Sequence, residues 1–138
     1  MITQYFWGIG SAIIGLMGLS HVRATLFSNK LYPRDEKLIP EMEDSSLLLT
    51  DKANMWKAWL GFNATHGSGA AFIGIVNLYL AINGFTFLKS SQFLLLLTIL
   101  TMGFYVWVAR KYWFKIVMVM LMVSWTFFIA SYILMMMQ

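Results

Sequence analysis

A chain of 138 residues that is 59% hydrophobic and only 12% charged, with a mean hydropathy of +0.69, lacks the charge to cover a water-facing surface, where an ordinary soluble domain uses roughly 25%. Four apolar stretches, at about 20 residues for roughly 30 Å of hydrocarbon, use up most of the length and leave room for a single domain, 1–138. The absence of cysteine excludes a disulfide scaffold, a thiolate metal site and a Cys nucleophile. The net charge of +4 includes no basic tract, so no nucleic-acid partner is expected.

The first apolar run, residues 5–27, is unbroken by charge until Arg23. It opens with no basic residue, carries no cleavage site and is too long for a signal-peptide core, so it reads as a retained span. A long loop comes next, over residues 28–54, and holds every acid of the chain, Asp35, Glu36, Glu41, Glu43, Asp44 and Asp51, together with both prolines. Pro33 and Pro40 suit the first turns of short helices, and residues 34–39 and 41–48 have enough Leu, Ile and Met to lie on a membrane surface. One or two short interfacial helices capping the bundle are expected, with a solvated charged loop as the alternative for the first half. Three further spans occupy residues 58–82, 93–109 and 116–137. Trp56, Trp59, Tyr79, Trp107, Tyr112, Trp113 and Tyr132 lie mostly near span ends, where amphipathic rings favour the headgroup level; Trp125, in the middle of the last span, is the exception.

The expected fold is therefore all-α, an integral membrane four-helix bundle with one long loop. An even number of spans puts both termini on the side of the short connection at residues 83–92. The opposite side carries Lys30, Arg34, Lys37, Lys52, Lys57, Arg110, Lys111 and Lys115, against Lys89 alone on the terminal side. Positive-inside asymmetry then predicts a cytoplasmic long loop and outside termini in a bacterial inner membrane.

Polar groups inside a span are expensive and face the bundle interior. Gly8, Ser11, Gly15 and Gly18 form a small-residue stripe on the first span that His21 continues. On the second span Asn63, His66, Gly67, Ala70, Gly74 and Asn77 share one face. The two stripes are expected to meet. At about 1.5 Å per residue, His21 and His66 then lie at a common depth roughly 10 Å below the long-loop edge, with Arg23 and Lys57 able to snorkel to the same rim.

Several roles remain open for this pair. The histidines and Asn63 can simply hydrogen-bond across the helix interface, at ~0.6–2 kcal/mol per bond. They can equally hold the polar head of a lipid or quinone above an apolar slot. Bis-histidine haem ligation needs room for a macrocycle that glycine contacts deny, and a metal site needs a third ligand from the loop acids, so no metal is assigned and the cofactor is left unknown. Asn63-Ala64-Thr65 matches a glycosylation acceptor at an implausible depth. Gly67-Ser68-Gly69 reads as packing rather than as a phosphate loop. The Met-rich last span, with Met118, Met120, Met122 and Met135, suggests lipid or subunit contact.

The segments Gly18-Leu19-Ser20-His21, Thr25-Leu26-Phe27, Leu31-Tyr32-Pro33-Arg34-Asp35 and Met55-Trp56-Lys57-Ala58-Trp59-Leu60-Gly61-Phe62-Asn63-Ala64-Thr65-His66 resemble an uncharacterised family of small bacterial four-span integral membrane proteins. The resemblance covers about the first half of the chain. It implies the fold and interest in His21, Asn63 and His66, and no activity, substrate or cofactor.

Two functions are expected to compete. One is a non-catalytic accessory or assembly subunit of a larger bacterial membrane complex, partnered by membrane lipids and by other subunits or a second copy. The other is a lipid- or quinone-binding protein, or a small intramembrane enzyme, using His21, Asn63 and His66, with catalytic residues unknown.

Overall fold

The computed structural model describes residues 1–137. Four helices are long and apolar enough to cross a bilayer: α1 (Ile2–Leu26), α3 (Met55–Asn83), α5 (Gln92–Tyr112) and α6 (Lys115–Met136). Two short helices, α2 (Leu38–Asp44) and α4 (Phe85–Ser90), and a hairpin of β1 (Ser46–Leu47) with β2 (Thr50–Asn54), join them. The molecule is all-α with four membrane spans, as the hydropathy pattern requires.

Span ends reflect local chemistry. Helix α3 starts at Met55 because Asn54 caps it, its side-chain oxygen accepting from the Lys57 amide at 2.9 Å. Helix α5 runs past its apolar stretch to Tyr112, since Arg110 and Lys111 suit the negative end of the helix dipole. The Lys111 ammonium lies over the Trp107 and Tyr112 rings, 5.7 and 5.2 Å from their centroids.

The long loop follows the solvated alternative over its first half and forms one of the expected short helices, while the hairpin and α4 are additions. Residues 34–37 form turns instead of a helix, because the Asp35 carboxylate takes the Lys37 amide at 3.1 Å and offers the backbone a local alternative. One helix forms, α2, with Pro40 in its first turn. It ends at Asp44 and gives way to a hairpin, in which Ser46 pairs with Asn54 and Leu47 with Thr50 around an exposed Leu48-Leu49 turn. Met55 donates back to the Ser45 carbonyl at 2.9 Å and closes the hairpin onto the start of α3. The short connection on the other side contains α4, anchored by a fully buried Leu88.

Helix α1 is central. It packs along its length on α3, and the two small-residue stripes do meet. A methyl on Gly18 would overlap the Ala71 amide nitrogen and the Gly67 carbonyl, and one on Gly74 would overlap the backbone of Gly15 and Ser11. Over its first half α1 also packs on α6. Ser131 donates to the Thr3 carbonyl at 2.6 Å and Ser124 to the Gly10 carbonyl at 2.7 Å, while the Trp7 and Phe128 rings meet edge to face at 4.8 Å. Helix α5 packs on α6, where the Trp125 indole donates to the Ile99 carbonyl at 2.9 Å and lies across Gly103. Trp125 is thus a helix-to-helix contact, which explains its position away from the headgroups. A buried network spans three helices: Asn77 accepts from the Trp7 indole at 3.0 Å and from the Thr98 hydroxyl at 3.2 Å, and donates to the Ile73 carbonyl at 3.0 Å.

Candidate functional site

The two histidines come together. His21 sits in the last turns of α1 and His66 on α3, with ring centroids 5.5 Å apart and planes at 84°. Their meeting results from the antiparallel register that the close contact of Gly18 with Gly67 and Ala71 sets beside them. Asn63, one turn from His66 and buried, fixes the orientation of His21. Its amide nitrogen donates to the Trp59 carbonyl at 2.9 Å, so its side-chain oxygen faces the imidazole, 3.2 Å from Nε2. Nε2 therefore carries the hydrogen and donates, which leaves Nδ1 of the neutral ring as an acceptor.

Two aromatic residues complete the cluster. Tyr105 on α5 contacts His66 at 5.5 Å. Trp113 occupies the two-residue turn between α5 and α6, where its extended backbone turns the indole inward. It meets His21 edge to face at 5.8 Å and stacks nearly parallel to His66 at 6.4 Å. Neither residue stands out in the sequence, because a Tyr or Trp in or beside a span reads first as an interfacial anchor. The side chains of His66, Tyr105 and Trp113 form no hydrogen bond with any described residue.

The cluster closes one end of a cavity of about 570 Å³. Apolar side chains supply most of the wall: Ile14 and Met17 from α1, Ala109 from α5, Val117 and Leu121 from α6. The cavity lies between α1 and α6 on the long-loop side of the contact at which Ser124 reaches Gly10. Its lining includes Leu16 and Ile116, 65% and 60% exposed, which places exposed apolar side chains from α1 and α6 beside it. Lys30 and Leu31, at the start of the long loop, line the same end as the histidines.

The cationic candidates are distributed differently from the sequence reading. Arg23 and Lys57 are exposed and outside the cavity lining, whereas Lys30 contributes to it. Among the described residues no group of three His, Asp or Glu side chains converges. Backbone contact at Gly18 leaves no slab of space between α1 and α3 for a macrocycle, and Asn63 already engages the His21 Nε2.

Fold and site together define a multi-pass helical membrane protein with a hydrogen-bonding, aromatic cluster at the head of an apolar side cavity. Compared with known proteins, the chain matches no protein-family model, no curated protein and no solved structure.

Proposed function

We propose that this protein binds an amphipathic, lipid-soluble ligand, with a polar head against His21, His66 and Tyr105 and a tail that leaves between α1 and α6. The observation that carries this reading is the joining of the His66 and Tyr105 polar groups, which have no hydrogen-bond partner among described residues, to an apolar cavity of about 570 Å³ bordered by exposed Leu16 and Ile116. A cavity of that size is typical of a small-molecule site, apolar with a few convergent polar groups. In the same reading the long loop, rich in Lys and Arg at its flanks, faces the cytoplasm of a bacterium and both termini lie outside the inner membrane.

The accessory-subunit reading draws on a second, largely apolar groove of about 380 Å³ between Phe6, Met122 and Phe127. An acyl chain fills such a groove as well as a partner helix does, so this reading is the weaker one.

The test is direct. Protein purified in mild detergent is extracted with organic solvent, and the extract is compared by mass spectrometry with that of a His66→Leu variant. The His66 side chain forms no hydrogen bond with a described residue, so the variant is expected to stay folded and to lose a ligand that the parent retains. Identical extracts from the two proteins, both folded, would overturn the proposal.

A further inference from the structure

Resting on the binding reading above, we infer that the head group recognised here is a planar ring bearing a hydroxyl, so that the site takes a lipid-tailed quinol in preference to the corresponding quinone or a phospholipid. The two edges of the His21 imidazole differ in what they meet. Its Nε2 is engaged by Asn63 on α3 at 3.2 Å, and the adjacent Cδ2 lies 3.0 Å from where a methyl on Gly67, also on α3, would stand. Both atoms belong to one edge of the ring, so Nδ1 lies on the opposite edge, turned from α3. No described residue donates to it. A neutral ring with Nε2–H presents a bare lone pair at Nδ1, and a ligand that is to satisfy it must bring an O–H or N–H.

The surroundings select the rest of the head. The rings of His66, Tyr105 and Trp113 border the space, with Trp113 and His66 within 13° of parallel, which favours a flat ring over a tetrahedral phosphate. Lys30 is the sole Lys or Arg in the lining, and Arg23 and Lys57 stay outside it. A phosphate site draws on several charged or bidentate donors. The Tyr105 hydroxyl, without a partner among described residues, can donate to a second oxygen on the ligand. One acceptor at His21 and one donor at Tyr105 thus match a ring with two oxygens of which at least one is a hydroxyl. A quinone offers acceptors alone and leaves Nδ1 unpaired.

The experiment uses the full chain in phosphatidylcholine nanodiscs, without oxygen. A decyl-substituted benzoquinol, its quinone and its dimethyl ether are titrated against tryptophan fluorescence, and affinities are taken from the midpoints. The quinol is expected to bind about fivefold more tightly than either analogue, the margin of roughly one neutral hydrogen bond. Asn63→Asp should shrink the quinol's advantage over the quinone, because a carboxylate facing Nε2 favours a hydrogen on Nδ1 as well, and a donor there is met equally by a carbonyl or a hydroxyl oxygen. Equal or tighter quinone binding by the parent protein would overturn the inference, and so would an undiminished quinol preference in a folded Asn63→Asp variant. If none of the three binds while the native extract still contains a ligand lost in His66→Leu, the head-group class is wrong and the binding reading stands. If that extract also holds nothing specific, the binding reading itself fails.

Discussion

Asn63 and Asn77 lie on the same helix, and hydrocarbon makes different demands of each. Asn77 is the hub of a closed network, with Trp7 and Thr98 donating to its oxygen and Ile73 accepting from its nitrogen. Replacing it by Leu leaves two buried donors without an acceptor. Asn77→Leu is therefore expected to destabilise the bundle by about 1–3 kcal/mol. Thr98→Val, which removes one donor with little change of volume and leaves the Trp7 bond in place, should cost less, ~0.6–2 kcal/mol. Thermal unfolding of both variants in one detergent checks the order. Asn63, in contrast, is anchored to Trp59 so that it can orient His21. At this scale the polar members of the site were legible, because a histidine or asparagine inside an apolar run has few structural explanations. Tyr105 and Trp113 were not, since an amphipathic ring in a membrane helix has an ordinary explanation at hand.

Among the elements, the pairing of α1 with α3 depends on glycines whose missing side chains let two backbones touch. Gly18→Ala places a methyl on the Ala71 amide and the Gly67 carbonyl, neither of which can move without shifting a helix. Its expected cost is about 1–3 kcal/mol, the range for overpacking. Gly61, also within α3, has nothing within 4 Å of its would-be methyl. Gly61→Ala should be neutral or stabilising by up to about 1 kcal/mol through helix propensity. Paired melting curves separate a contact effect from a propensity effect. The stripes that build this interface could be read directly, because residues three and four apart share a helix face whatever the partner. The β1–β2 hairpin could not. Its pairing joins Ser46 to Asn54 around a Leu48-Leu49 turn, which carries none of the Gly or Asn that mark hairpin turns.

For the whole molecule, orientation is the property most easily tested. The chain has no cysteine, so single replacements report cleanly. Leu49 at the hairpin tip and Thr86 in α4 are both accessible, on opposite ends of the bundle. In intact cells stripped of the outer barrier, a membrane-impermeant maleimide should label Thr86→Cys and should label Leu49→Cys only after lysis. The reverse result would invert the proposed orientation, leaving the fold unaffected.

Hydropathy and small-residue spacing determined by themselves the four spans, the α1–α3 contact and the common depth of His21, Asn63 and His66. Each of these comes from helical periodicity and from the cost of polar groups in hydrocarbon, both properties of a single segment. Tertiary structure decided the rest: that a cavity lies between α1 and α6, that Tyr105 and Trp113 border it, and that Lys30 lines it while Arg23 and Lys57 do not. A cavity is a space that helices far apart in the chain fail to fill, and local patterns carry no record of where two distant surfaces stop touching.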